Sequence, residues 1–122
     1  MIYAIDFDGT IVTHEYPAIG RLVPHAIEVM SKLQERGDKL ILLTMRSGRE
    51  LGEAVSYCKD CGITFWGINN NPEQHEWTNS RKVYANMYID DAGCLMPLVK
   101  NTTGRCRPYV DWVKVSEYLF GV

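Results

Sequence analysis

The strongest constraint in this chain is at its start. The apolar run Ile2 to Ile5 leads straight into Asp6-Phe7-Asp8-Gly9-Thr10. Short and apolar throughout, the run reads as a buried strand, residues 2–6, ended by a turn signal. In extended chain Asp6 and Asp8 share one face. At a frayed strand end both can reach one small volume, where two carboxylates repel unless a cation lies between them or one holds a proton.

The rest of the chain supplies the frame. Residues 7–23 form a long connection with Gly9, Pro17 and Gly20, in which Ile11 to Thr13 fits one arm of a small hairpin. Pro24 suits the first turn of a helix whose apolar positions are Ala26, Ile27, Met30 and Leu33, stopped by Gly37. Lys39 to Thr44 reads as the second strand, and its continuous Leu40-Ile41-Leu42-Leu43 is what a parallel sheet covered on both faces requires. Ser47 and Glu50 have capping-box form before a helix with Leu51, Ala54, Val55 and Cys58 on one face, closed by Gly62. Ile63 to Trp66 is expected as a third strand, Arg81 to Ala85 as a short helix, and Met87 to Ile89 as a fourth strand running into Asp90-Asp91. Leu95 to Val99 reads as extended, 101–104 as a loop, and Pro108 to Phe120 as a last helix.

Alternating strands and helices predict an α/β fold, a three-layer α/β/α open, mainly parallel, Rossmann-like sheet with helices on both faces. Ligands in such sheets bind beyond the carboxyl ends of the strands, where Asp6, Thr44 and Asp90 all fall. A length of 122 residues fits one domain, 1–122, with its motif-bearing core at about 1–92 and an extension with a helix at about 93–122.

The 46% hydrophobic and 23% charged content is that of a soluble globular protein, and a net charge of −2 offers no basic surface for nucleic acid or membrane. The chain opens in a strand-like run without a leader pattern, so a cytoplasmic location is expected. Cys58 and Cys61 have metal-ligand spacing, but no second close pair completes a zinc site, and Cys58 falls on an apolar helix face. Both are read as ordinary thiols. Asn101-Thr102-Thr103 has the form of a glycosylation sequon, which carries little meaning without a secretory signal.

Asp6-Phe7-Asp8-Gly9-Thr10, then Thr44, then Lys82, then Asp90-Asp91, resembles the four-motif set of the haloacid dehalogenase (HAD) superfamily. The resemblance runs from residue 1 to about residue 92. It implies a HAD-like fold and a Mg²⁺-dependent phosphatase that passes through an aspartyl-phosphate. Asp6 would be nucleophile and metal ligand. Asp8 would offer its main-chain carbonyl to the metal and its side chain as general acid, then base. Asp90 would be a direct ligand and Asp91 an outer one, or the reverse. The Thr44 hydroxyl and the N–H of Met45 would hold phosphoryl oxygens. Lys82, or its neighbour Arg81, would pair with Asp6 and neutralise the transferred group. Gly9 would permit close approach or a positive φ. Thr10 would either pin the turn or touch phosphate. Arg46 would either fork onto a phosphate or substrate carboxylate, or sit solvated near a helix start.

Residues 10–24 leave room for a flap only, and residues 48–81 are occupied by a helix, a strand and a loop. The chain therefore resembles the capless type, without a cap domain. Water exclusion and substrate choice then fall to loops, a large substrate or a second subunit, so a homo-oligomer fits as well as a monomer. Residues 67–80, with Trp77, are the expected substrate-shaping element, and His14 is read as a solvated loop histidine. The expected partner is a phosphorylated small molecule. A receiver-like signalling domain is disfavoured, because Asn69, not an aspartate, follows the third strand. A non-catalytic HAD-like binding or assembly module remains the alternative.

Overall fold

The computed structural model describes residues 1–100 and 106–121. The expected 101–104 loop and the sequon therefore lie outside the described residues. Strand β1 (Ile2–Ile5) is followed by helix α1 (Ala26–Glu35), strand β2 (Lys39–Leu42), helix α2 (Gly48–Asp60) and the two-residue strand β3 (Gly67–Ile68). A 3₁₀ turn at Gln74–Glu76 precedes β4 (Met87–Ile89). The chain then forms β5 (Leu98–Val99), β6 (Tyr109–Val110) and helix α3 (Trp112–Phe120).

β1 to β4 form a parallel sheet in the order β3-β2-β1-β4, and β5 and β6 pair antiparallel apart from it. In register, Ile5 lies opposite both Leu42 and Ile89. The carboxyl ends of three neighbouring strands are therefore level, and Asp6 and Asp90 leave the sheet side by side. The chain steps from β1 to β2 to β3 in one direction, then returns past β1 to β4. The gap between β1 and β4 is thus the topological switch point, where open α/β sheets bind ligands.

The two faces of the sheet are covered differently. Tyr3, Ile5, Leu40 and Leu42 pack with buried residues of all three helices, among them Met30, Leu33, Ala54, Cys58, Trp112 and Val115. Two successive right-handed crossovers in one direction put α1 and α2 on this same side, and α3 packs beside α1. On the opposite face Ala4 and Ile41 meet Val83, Ala85 and the partly buried Trp66. Irregular chain, not a helix, forms that layer, which corrects the expectation of helices on both faces.

The reason is local. The expected helix at 81–85 does not form because side chains have taken its backbone groups. Gln74 donates to the carbonyls of Ser80 and Lys82 and accepts from the Tyr84 N–H. Asn71 donates to the Tyr84 carbonyl, and the Tyr88 hydroxyl lies between the Val83 carbonyl and the Ala85 N–H. A segment whose donors and acceptors are satisfied this way gains nothing from coiling.

The third strand is also displaced. The Ile63 N–H still bonds to Cys58 O at the end of α2, and the chain reaches β2 only when the Trp66 N–H meets Leu40 O. It turns away almost at once: a Cβ on Gly67 would overlap the Asn70 carbonyl, and Asn69 has φ 53°. The Ser47–Glu50 capping box is absent, since Ser47 makes no side-chain cap bond. The small hairpin arm is present: Thr13 N–H bonds to Arg21 O and Val23 N–H to Ile11 O. No helix among the described residues is long and apolar enough to cross a membrane.

Cys58 is buried, its thiol pushed up to about 12 by burial, with Cys61 nearby. Among the described residues neither cysteine belongs to a cluster of three possible metal ligands. Cys58 is a core residue.

Candidate active site

Asp6, Asp90 and Asp91 each place a carboxylate oxygen within 4.8 Å of the others. β1 and β4 bring them there because their last residues are paired and Asp6 N–H bonds to Ile89 O at 3.0 Å. Three carboxylates cannot share that volume fully ionised. The chain alone answers by holding a proton: burial first, then the charge of Asp90 and the hydrogen bond that protonated Asp6 donates to Asp91, push Asp6 up to about 8. Burial raises Asp91 as well. A divalent cation would remove this cost, and an all-oxygen acidic set suits a hard ion such as Mg²⁺.

The loop after β1 is built around this cluster. The Thr10 hydroxyl donates to Asp6 at 3.2 Å and accepts from the Asp91 N–H at 3.2 Å. Fully buried, with its hydroxyl engaged on both sides, Thr10 pins the two motifs together. Gly9 has φ +83°, and its N–H donates to Val12 O at 2.7 Å. A Cβ at Gly9 would fall on the Asp91 carboxylate, with the His14 ring also close. Gly9 thus makes room for the Asp91 carboxylate. Gly9→Ala should weaken Mg²⁺ binding by ~10-fold or more, measured calorimetrically, because Asp91 must move and the backbone is strained; unchanged affinity would separate Asp91 from the metal site.

The loop is fastened from the far end of the chain. The Val110 N–H donates to Gly9 O at 3.0 Å and the buried Trp112 indole N–H to Thr10 O at 2.7 Å. Residues 106–121, which carry no motif, hold the motif that matters most.

A cleft of about 530 Å³ opens over the carboxylates, lined by Asp6, Asp8, Thr44, Asp90, Asp91 and Arg107 among others. Thr44 takes its expected place: its hydroxyl oxygen accepts from the Arg46 N–H at 3.1 Å, and its own N–H donates to Asn69 Oδ1 at 2.8 Å. Met45, 98% exposed, stands at the rim.

Arg46 departs from expectation. It is 2% exposed, and its Nε and Nη2 bind both oxygens of Asp8 at 2.8 Å each. Nη1 and Nη2 also donate to the carbonyls of Pro17, Glu50 and Ala18. The guanidinium lies 5.0 Å from the Phe7 ring centroid and 5.1 Å from that of Tyr16. Arg46 is therefore neither solvated nor open to a phosphate. It clamps Asp8 to the flap.

Lys82 and Arg81 are also not where the resemblance puts a cation. Neither lines the cleft nor forms an ion pair with Asp6, and the Lys82 ammonium sits 5.8 Å from the Tyr88 ring centroid. Residues 67–80 do not wall the cleft either; Trp77 packs edge-on against Tyr84 at 5.5 Å. The walls come instead from His14 and Tyr16 of the flap and from Arg107. His14 was legible only as a histidine near the acidic loop, and Arg107 gave no signal.

No family model matches the sequence, and no curated protein matches it. A solved structure, that of a conserved protein coded by a locus from Bacteroides thetaiotaomicron, is 38% identical over 98% of this chain and 88% of that one, with a TM-score of 0.77. At that coverage the likeness extends over nearly the whole chain. The chain belongs to the same family as that conserved Bacteroides protein.

Proposed function

We propose that the chain is a Mg²⁺-dependent phosphomonoester hydrolase, a capless HAD-like enzyme that passes a phosphoryl group through Asp6. The observation that carries this reading is the meeting of Asp6, Asp90 and Asp91 at the switch point, with Asp8 lining the same cleft. The parallel sheet in the order β3-β2-β1-β4 supports the HAD-like frame, and the short flap at 13–20 supports the absence of a cap.

Asp6, Asp90 and Asp91 would hold the Mg²⁺, which when bound supplies positive charge that lets a carboxylate approach an anionic phosphoryl. The Asp6 carboxylate forms a bond to phosphorus as the bond to the ester oxygen breaks. Asp8 gives its proton to that oxygen and the alcohol leaves. Asp8 then takes a proton from water, whose oxygen displaces Asp6 and frees phosphate. The Thr44 hydroxyl keeps its proton for a phosphoryl oxygen, since its lone pair already accepts from the Arg46 N–H. Both Asp8 oxygens accept from Arg46, so each time Asp8 takes up a proton it yields one of those bonds. Arg46 is thus a positioning residue that orients Asp8.

The substrate is a phosphorylated small molecule, and the chain works in the cytoplasm, where its cysteines stay reduced. The test is hydrolysis of para-nitrophenyl phosphate. Turnover should require Mg²⁺ and disappear in EDTA; turnover at full rate without divalent metal would sink the proposal. A second reading, a Mg²⁺-binding module without turnover, draws on the double hold of Arg46 on Asp8. Mg²⁺ binding with no hydrolysis across a panel of phosphorylated metabolites would favour it.

A further inference from the structure

We propose that Arg107 supplies the protein's own positive charge to the phosphoryl group in this cleft, the role that the resemblance assigns to Lys82. The proposal rests on the reading of the cleft as a phosphoryl site. A phosphate entering it meets Asp6, Asp8, Asp90 and Asp91, so a cationic side chain is needed beside any metal.

Among the described residues, two arginines and no lysine line the cleft: Arg46 and Arg107. Arg46 is spent, with Nε, Nη1 and Nη2 all donating to Asp8 and to main-chain carbonyls. It is also almost fully buried. Lys82 rests over Tyr88, outside the lining. Arg107 is exposed and, among the described residues, forms no ion pair with a carboxylate. It meets His14 Nδ1 at 3.5 Å, a contact that does not neutralise it.

The backbone that carries Arg107 is fixed to the nucleophile's own loop. Three residues on, the Val110 N–H bonds to Gly9 O, and beyond it the Trp112 indole bonds to Thr10 O. His14, which Arg107 meets, lies against Gly9 close to Asp91. The backbone near Arg107 is thus tied to Gly9 and Thr10, and its side chain lines the same cleft as the carboxylates. An arginine there presents a planar fork to phosphate, which a lysine cannot reproduce.

The experiment is calorimetric titration of inorganic phosphate into the Mg²⁺-loaded protein, with Mg²⁺ affinity measured separately. Arg107→Ala should weaken phosphate at least 10-fold and leave Mg²⁺ affinity within 2-fold; Arg107→Lys should recover part of the loss. Lys82→Ala should bind phosphate within 2-fold of wild type. Phosphate binding that is indifferent to Arg107, or lost with Lys82→Ala, or absent from the wild type, would overturn the proposal. Arg107-dependent phosphate binding without any ester hydrolysis would instead leave this assignment standing and remove the hydrolase reading. Hydrolysis that ignores Arg107 would do the opposite.

Discussion

Asp6→Asn should abolish turnover and at the same time make the metal-free protein more stable. The activity loss, on the order of 10³-fold or more, follows from removing the attacking oxygen. The gain in stability follows from linkage. In the folded chain Asp6 titrates at about 8, against an ordinary 3.8. Between those values the folded state keeps a proton that the unfolded state has released. The contribution of protonated Asp6 to stability is full below about pH 4 and is lost as pH rises through 8. Asparagine has no proton to lose, and its oxygen can still accept from Thr10. At pH 8 in EDTA the variant should therefore exceed wild type by on the order of 2–4 kcal/mol, or ~10 °C in Tm. At pH 5 the gap should shrink. Saturating Mg²⁺ should raise the wild-type Tm more than that of the variant and close the gap from the other side. Thermal melts at the two pH values, with EDTA and with Mg²⁺, decide it. A variant less stable than wild type at pH 8 without metal would show that the carboxylates do not crowd one another as described.

Arg46→Ala carries the largest expected loss of stability, about 3–5 kcal/mol, because it leaves the Asp8 carboxylate without its partner in a mostly buried place. It also removes donors from the carbonyls of Pro17, Ala18 and Glu50, so the flap is released along with Asp8. Urea denaturation should show the midpoint falling sharply. Arg46→Lys should restore the charge but not the paired bonds, and so recover only part of the loss. A midpoint unchanged in Arg46→Ala would mean that the clamp contributes nothing. The same geometry affects how Asp8→Asn is read. An amide cannot accept two bonds from the guanidinium as a carboxylate does, so that variant loses clamp as well as proton shuttle. Its activity has to be compared with its melt before a chemical role is assigned.

Much of this frame was legible in the residues. Ile2–Ile5, Leu40–Leu43 and Met87–Ile89 announce buried strands, and the helical spacing of Met30 with Leu33 or Ala54 with Cys58 marks the faces that pack. Because strand ends could be placed, Asp6, Thr44 and Asp90 could be expected at one edge, and they are there. What stayed hidden depends on partners distant in sequence. Arg46 finds Asp8 across 38 residues, so nothing near it signals a buried clamp. Gln74, Asn71 and Tyr88 unmake the expected helix at 81–85 through bonds that periodicity does not register. β5 and β6 are two residues each, too short to show alternation. Arg107 is placed by the ties of Val110 and Trp112, and neither tie can be read from the residues around it.

Those ties have a consequence for how the protein comes into being. The Asp6–Thr10 loop is synthesised about a hundred residues before the groups that close it, the Val110 amide and the Trp112 indole. The Trp112 bond to Thr10 spans 102 residues. Contacts of such long separation form late, since a large loop must close first. While the chain is still growing, Asp6 and Asp8 exist without the strap that holds their loop. A nascent chain short of residue 112 therefore carries the acidic motif but not the finished cleft, and ribosome-bound fragments ending before and after that residue would reveal when the site is born.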